Sequence, residues 1–183
     1  MEIILASNSP RRKQLLKEAG LKFKVIPSDC DEQFDFYSSQ EEYAKNLSYL
    51  KAEKVFLKNQ NCVVIGADTI VVFNNQILGK PVDKTDAFNT LKMLSNNTHK
   101  VITGYTIMSK NKVISNYEVT FVTFNDLTDH LINSYIDDKN PLDKAGSYGI
   151  QDGYPLVKNF DGDYNNVVGL PVDKILQHLK EFI

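Results

Sequence analysis

Apolar runs alternate with amphipathic stretches along the chain, and this order predicts an α/β fold. The first apolar run, residues 2–6, is typical of a buried strand. Ser9 and Pro10 then begin a helix, because serine caps a helix N-terminus and proline fits the first turn. A second strand is predicted at 23–26, and Pro27 ends it.

A capping box at 39–42 predicts the start of a long amphipathic helix that reaches Leu57. The stretch from 140 to 171 is rich in Gly, Asp and Asn and predicts mostly loop with one or two short strands. The remaining predicted elements are a central strand at 62–73, a helix capped by Asp83 or Thr85, long antiparallel strands at 101–108 and 113–124, a helix from about Leu127 and a last helix from Pro171.

Composition narrows the class of protein. The 183 residues carry a formal net charge of −2, which does not favour general nucleic-acid binding. The longest apolar stretch, 62–73, is too short to cross a bilayer, and the N-terminus lacks the order of a secretory signal. Cys30 and Cys62 form no CxxC pair, so neither a disulfide framework nor a zinc knuckle is predicted. We therefore expect a reduced, cytoplasmic protein without membrane or nucleic-acid partners.

The turn between the first strand and the first helix predicts an anion site. A helix N-terminus presents unpaired N–H groups and a partial positive charge. Ser7, Ser9, Arg11 and Arg12 add two hydroxyls and two guanidiniums at the same place. These groups match phosphate oxygens. The alternative is an ordinary serine-capped helix with a solvated basic first turn.

Asp68 interrupts the apolar central strand. A carboxylate in such a strand is costly unless it is paired or binds a cation. It is therefore a candidate for holding a metal ion or activating water. The alternative is a structural aspartate that pairs with a lysine or arginine, or caps a turn.

Two later motifs are weaker by themselves. Lys80, in the LGKP sequence, can place an ammonium on a phosphate, although a turn with an exposed lysine is the commoner outcome. Gln151 ends a Gly-rich loop and offers both a carbonyl and an NH₂ group, which suits the edge of a base. A loop glutamine that is merely solvated is the alternative.

Several motifs together resemble the Maf nucleoside triphosphate pyrophosphatases. They are LASNSPRRKQLL, GADTIV, LGKP, THKVITG, DKAGSYGIQ and NVVGLP, in the family's order from residue 5 to 171. The resemblance implies a long mixed sheet flanked by helices, similar to inosine triphosphate pyrophosphatases, in a single domain 1–183. It also implies two lobes around a central cleft, which we place with a boundary near 75–85. The implied activity is metal-dependent hydrolysis of a nucleoside triphosphate to the monophosphate and pyrophosphate, by an expected homodimer.

The resemblance also implies roles for individual residues. Asp68 matches the family's catalytic carboxylate, and with Glu32 it would hold Mg²⁺ or Mn²⁺; Asp143 is an alternative acceptor for the water's proton. The matched substrate-binding positions are Ser7, Ser9, Arg11, Arg12, Lys51, Thr69, Lys80 and Gln151. Arg11, Thr69 and Gln151 further imply the branch that acts on dTTP and UTP.

Two other functions stay open at this point. One is a nucleotide-binding regulator of cell division and septum formation with little catalysis, and the other is removal of modified pyrimidine nucleotides. The chain also departs from the family pattern at Asp163, where serine is common. A carboxylate there would repel a triphosphate or bind an additional cation if it faced the phosphate site.

Overall fold

The computed structural model describes residues 1–30 and 38–182. The strands in these ranges are β1 (Ile3–Leu5), β2 (Lys24–Val25), β3 (Val63–Phe73), β4 (Gln76–Leu78), β5 (Thr98–Met108), β6 (Val113–Phe124) and β7 (Val157–Asp161). The α-helices are α1 (Pro10–Glu18), α2 (Gln40–Phe56), α3 (Lys84–Leu94), α4 (Asp129–Lys139), α5 (Tyr164–Val168) and α6 (Val172–Leu179). None of the helices described has the length and apolar character that a transmembrane segment needs.

The strands form a mixed sheet in the order β2-β1-β3-β5-β6-β7, with β4 paired to β3. β1 pairs in parallel with β2 on one side and with β3 on the other. β4 runs antiparallel to β3, and β7 runs antiparallel to β6. A short turn closed by the bond from Ser109 N to Lys112 O (2.8 Å) connects β5 to β6, so these neighbours are antiparallel as well. The predicted mixed α/β sheet is confirmed.

The chain divides into two compact units. The first comprises Met1–Thr69, Thr103–Glu118 and Gly169–Ile183, and the second comprises Ile70–Ile102 and Val119–Val168. The chain therefore passes from one unit to the other within β3, β5 and β6. The predicted boundary region, 75–85, lies inside the second unit, and the predicted lobes and cleft stay predictions.

In the first unit, helices cover both faces of β1 and β3. Leu16 of α1 packs with Leu5 and Ile65 on one face, and α6 adds to the same cluster. Ala52 of α2 packs with Val64 on the opposite face. The alternation of buried side chains along β3 explains this arrangement, since neighbouring residues of a strand point to opposite faces.

Two glycines bring the backbone of α2 against the sheet. A Cβ atom on Gly66 of β3 would lie 2.3 Å from the carbonyl oxygen of Ser48, and one on Gly104 of β5 would lie 2.2 Å from that of Ala44. Both distances are far below van der Waals contact, so any larger residue would push the helix away from the sheet. These glycines set the distance at which side chains of α2 reach β3.

The second unit has its own apolar core. Residues of α3 and α4 pack there against β5 and β6, and Tyr135 and Phe124 are its largest wholly buried side chains. His99 lies in the same core, with Nε2 2.7 Å from the hydroxyl of Tyr148 and its ring edge-on to Phe124. Burial lowers the pKa of His99 to about 4, because the apolar surroundings disfavour the charged imidazolium.

Side-chain caps start the helices that the sequence predicts. Ser39 caps α2 through the bond from Glu42 N, and Asp83, rather than Thr85, caps α3 through Asp86 N.

β5 begins at Thr98, earlier than predicted. β4 and α5 were not predicted, because three and five residues are too short to show a periodic pattern.

The buried histidine predicts a specific acid sensitivity. The pKa of His99 is about 4 in the folded chain and 6.5 ordinarily, so the unfolded state binds a proton first as pH falls. The neutral His99 contributes its full stabilisation above pH 6.5, and this stabilisation is lost as the pH falls from 6.5 to 4. We expect a loss of about 2 kcal/mol from pH 7.5 to 5. Urea denaturation of the wild type and His99→Gln at both pH values measures it, and an equal pH effect in both proteins contradicts it.

Candidate active site

The predicted anion site follows the carboxyl end of β1. From this end the chain crosses to β2 through α1 on one face of the sheet, and returns to β3 through α2 on the other face. Such a switch point opens a crevice where ligands bind in open α/β sheets. Residues 7–12, here called the SPRR turn, lie at this switch point, between the carboxyl end of β1 and the first turn of α1.

Serine hydroxyls shape the SPRR turn. The backbone N–H of Arg12 donates to Ser9 Oγ (3.4 Å), so Ser9 caps α1, and Pro10 occupies its first turn as predicted. The hydroxyl of Ser7 accepts from the backbone N–H of Ser9 and from Nη1 of Arg12, each at 3.2 Å. Ser7 is buried and Ser9 half-buried, and both stand at the positive end of the helix.

Arg12 connects this turn to two other segments of the first unit. Its guanidinium is nearly buried (9% exposed) and donates from Nε to the carbonyl of Gly169 (2.8 Å) and from Nη1 to that of Ala67 (2.8 Å). Nη2 donates to Thr69 Oγ1 (3.0 Å). The planar fork of arginine suits this set of oxygens, which lie in different directions around one plane.

These bonds explain why Arg12 can lie at the start of α1, where the helix dipole disfavours a cation, without reference to a bound phosphate. Carbonyl and hydroxyl oxygens surround the Arg12 guanidinium and compensate its charge. Arg11, by contrast, is half-buried at the first turn of α1. The predicted phosphate contacts of both arginines stay predictions, and the structure adds a positioning role for Arg12.

Asp68 forms a buried ion pair with Lys51. Lys51 Nζ lies 2.5 Å from Asp68 Oδ1, and the two residues are 7% and 9% exposed. Lys51 faces Asp68 because α2 contacts β3 closely at Gly66, two residues before Asp68. This pairing agrees with the structural alternative for Asp68. It does not exclude a chemical role, because a carboxylate has two oxygens and the hydrogen bond from Lys51 is made to Oδ1.

Thr69 belongs to a hydroxyl cluster that the sequence did not indicate. Its Oγ1 lies 2.9 Å from Thr103 Oγ1 and 3.3 Å from the carbonyl of Gly169. Gly169 has a φ of 135°, which a larger residue adopts only with strain. The motifs THKVITG and NVVGLP contain Thr103 and Gly169, but without coordinates nothing pairs either residue with Thr69.

Seven predicted residues thus lie in the first unit, and Lys80 and Gln151 lie in the second. Both of these are exposed, Lys80 after β4 and Gln151 in a single 3₁₀ turn, Ile150–Asp152. The carbonyl of Gly79 accepts from Gly146 N (3.1 Å), so the LGKP sequence is bound to the Gly-rich loop. The structure therefore brings these two motifs together within the second unit.

Asp163 has a local explanation. Its Oδ1 accepts from Asn165 N (2.8 Å), while its backbone N–H and carbonyl both bond to the hydroxyl of Thr120 at 3.0 Å. The carboxylate therefore stands at the start of α5, where a negative charge is favourable. These bonds account for an aspartate at a position where serine would serve the same capping function.

The donors for a divalent cation are few in the described part of the chain. No group of three or more His, Cys, Asp or Glu side chains comes together there. Glu32, the predicted second ligand, lies outside the described residues. Asp143, the alternative proton acceptor, belongs to the second unit, is largely exposed and lies 3.1 Å from Lys144 Nζ. A single carboxylate still fits Mg²⁺, which is commonly held by one or two carboxylates together with substrate phosphates.

Comparisons with known proteins agree with the motifs. The family model described as Maf-like protein matches residues 2–182. Proteins named dTTP/UTP pyrophosphatase from Bacillus anthracis, Bacillus cereus and Bacillus thuringiensis subsp. konkukian are each 47% identical to this chain. Each alignment spans 182 residues, which is 99% of this chain and 95% of the relative.

A solved structure of a HAM1 protein from Coxiella burnetii also matches. Its TM-score is 0.46 at 16% sequence identity, over 68% of this chain and 73% of that chain. A similarity this distant supports no functional conclusion.

The bonds of Arg12 predict a difference between the two arginines of the turn. Arg12→Lys removes a fork that bonds to Gly169, Ala67 and Thr69, and we expect it to lower the free energy of unfolding by about 2–3 kcal/mol. Arg11→Lys is the matched control and should cost less than about 1 kcal/mol. Urea denaturation measures both, and equal losses contradict the positioning role.

Proposed function

The chain belongs to the Maf family, and from this premise we propose that it hydrolyses nucleoside triphosphates, with a preference for dTTP and UTP. The products are the nucleoside monophosphate and pyrophosphate. The family model spans nearly the whole chain, and relatives that bear the name dTTP/UTP pyrophosphatase align over 99% of it. Both findings support the reaction and the pyrimidine preference.

One observation carries the assignment of the site. Arg12 of the SPRR turn bonds to Ala67 and to Thr69, the residues on either side of Asp68. The buried carboxylate and the helix N-terminus therefore belong to one connected part of the first unit. An anion-binding turn joined through one strand to a carboxylate supplies two groups that hydrolysis of a phosphoanhydride uses, a phosphate site and a proton acceptor.

We assign the triphosphate to the SPRR turn. The N–H groups at the start of α1, the hydroxyls of Ser7 and Ser9 and the guanidinium of Arg11 would bind the phosphate oxygens. Arg12 would hold the turn in place and contribute positive charge. Lys51 orients the carboxylate of Asp68 and adds a further cation beside the phosphates.

We assign the proton transfer to Asp68. A water molecule attacks the α-phosphorus, and its proton passes to the carboxylate of Asp68. The bond between the α-phosphorus and the bridging oxygen then breaks, and pyrophosphate leaves. Lys51 engages Oδ1, so Oδ2 is the oxygen proposed to accept the proton. Mg²⁺ or Mn²⁺, held by Asp68 and the phosphates and in the family pattern by Glu32, would neutralise phosphate charge and acidify water.

We assign recognition of the base to Gln151 and, from the family pattern, to Thr69, and a further phosphate contact to Lys80. The hydroxyl of Thr69 would exchange its bond to Thr103 or to the Gly169 carbonyl for one to the base, because both bonds and that from Arg12 occupy it in the free protein. A hydroxyl and a carboxamide can pair with the carbonyl and N–H groups of thymine or uracil. A base that leaves these groups unpaired would be rejected. The same pairing admits modified pyrimidines, so their removal is part of the proposal. We further propose that the enzyme is a cytoplasmic homodimer.

Replacement of the carboxylate should separate chemistry from stability. Asp68→Asn removes the proton acceptor, so we expect turnover of dTTP to fall by roughly 1,000-fold, measured as pyrophosphate release with Mg²⁺. The same change removes the carboxylate that lies 2.5 Å from the buried Lys51 ammonium, which should lower the free energy of unfolding by about 3 kcal/mol.

The double variant Lys51→Met with Asp68→Asn is the matched control. It removes the buried cation as well, so we expect its stability to return to within about 1 kcal/mol of the wild type while turnover stays lost. Turnover by Asp68→Asn at a tenth of the wild-type rate or more would place the proton acceptor elsewhere.

Base recognition is tested by a panel of canonical and modified triphosphates. Gln151→Glu exchanges an NH₂ donor for a carboxylate, so we expect kcat/KM for dTTP and UTP to fall roughly 100-fold, and that for purine triphosphates much less. The side chain is exposed, so the melting temperature should hardly change. Gln60→Glu, at an exposed position after α2, controls for the added charge. An equal decrease for every nucleotide means that Gln151 does not read the base.

A further inference from the structure

A buried phenol, that of Tyr135, lies behind the turn that carries Gln151. Tyr135 lies on α4 in the second unit, and its side chain is wholly buried. Its hydroxyl accepts from the backbone N–H of Gly149 (2.9 Å) and donates to Asp152 Oδ2 (2.7 Å). Tyr135 therefore bonds to the chain on both sides of Gln151, two residues before it and one residue after it.

The phenol remains a donor under all ordinary conditions. Burial and the bond to Asp152 raise the pKa of Tyr135 well above its usual value, because an ionised phenol would lie in apolar surroundings beside a carboxylate. As acceptor and donor at once, the hydroxyl satisfies both neighbours. Its ring is fixed as well, edge-on to Tyr154 with centroids 5.2 Å apart.

The carboxamide of Gln151 lies directly beside this network. A Cβ atom on Gly149 would lie 2.7 Å from Gln151 Nε2 and 2.7 Å from Asp152 Oδ2. The glutamine amide and the aspartate carboxylate thus converge over the same glycine, which leaves room for both. Because Tyr135 holds Oδ2 of Asp152, it also limits the positions open to the neighbouring amide.

Lys144 completes the surroundings of the carboxylate. Its Nζ lies 4.0 Å from Asp152 Oδ2, and both side chains are mostly buried (12% and 13% exposed). Lys144 Nζ lies closer to Asp143 (3.1 Å), so the direction of Asp152 Oδ2 follows from its shorter bond to Tyr135. A carboxylate held in this way restrains the conformation of the adjacent turn, Ile150–Asp152.

We propose that Tyr135 is a positioning residue for nucleotide selectivity, which acts on Gln151 through Asp152 and the backbone of Gly149. The proposal rests on the proposed function in one respect, that Gln151 contacts the pyrimidine. Without the phenolic hydroxyl the turn keeps its place in the fold, but the carboxamide no longer has one preferred orientation. Loss of the hydroxyl then weakens binding of the base, which raises KM, and leaves the chemical step, and so kcat, nearly unchanged.

The test is a double-variant cycle with Tyr135→Phe and Gln151→Ala. We expect Tyr135→Phe to raise KM for dTTP at least fivefold, to change kcat less than twofold and to reduce the preference for dTTP over dGTP. In the Gln151→Ala background the same change should alter KM less than twofold. A fivefold effect in both backgrounds, or an equal effect on dGTP, overturns the proposal.

Two further variants separate positioning from general loosening. Tyr154→Phe removes the neighbouring phenol, whose hydroxyl donates to Ser134 O (3.4 Å), and should leave KM unchanged. Asp152→Ala removes the carboxylate on which Tyr135 acts, so it should raise KM for dTTP and leave kcat nearly unchanged, as Tyr135→Phe does. It replaces Tyr135→Phe as the test if Tyr135→Phe folds poorly. An unchanged KM in Asp152→Ala, or a raised KM in Tyr154→Phe, contradicts the proposal.

A readout without turnover keeps this test separate from the proposed activity. In ¹H–¹⁵N spectra, the side-chain NH₂ signals of Gln151 are those absent from Gln151→Ala. We expect them to shift in Tyr135→Phe and not in Tyr154→Phe. Should the wild type release no pyrophosphate from any triphosphate, the proposed activity fails and the spectra still decide the positioning claim. Unshifted signals in Tyr135→Phe overturn it.

Discussion

A buried carboxylate needs a buried cation, and the ion pair of Asp68 with Lys51 meets this requirement in the first unit. Its geometry depends on the close contact of α2 with β3 at Gly66, where a larger side chain would separate helix from strand. Removal of either side chain breaks a buried charge pair, which destabilises a fold far more than an exposed pair would. The ion pair therefore couples the packing of α2 to the carboxylate that we propose as the proton acceptor.

Arg12 complements this ion pair on the other side of β3. Its bonds join the start of α1, the strand residues beside Asp68 and the segment at Gly169. The phosphate role that we propose for the turn needs N–H groups and hydroxyls that already point to one place before the substrate arrives. The bonds of the Arg12 guanidinium constrain the turn, and Arg11 is the more exposed of its two cations.

The hydrophobic pattern predicted the long elements well. The capping box at 39–42 begins α2, because caps and apolar periodicity are local properties of a sequence. The stretch 140–171 contains a short strand, β7, as predicted, but it is not mostly loop, since three short 3₁₀ turns, β7 and α5 make up more than half of it. β4 and α5 escaped prediction, since elements of three and five residues are stabilised by their neighbours and not by their own pattern. The backbone of Asp163 shows the same limit, because both of its bonds to Thr120 join residues that are distant in sequence.

By itself the sequence determined the order of the long strands and helices, the family and the residue types of the candidate phosphate site. It placed Asp68, Lys51 and the SPRR turn among the candidates, but it left open whether Asp68 is paired. Only the tertiary structure decided that Lys51 is the partner, that Arg12 bonds to Thr69 and Gly169, and that Tyr135 holds the residues around Gln151. Such contacts join residues that are distant along the chain, and no local propensity encodes a distance between separate segments.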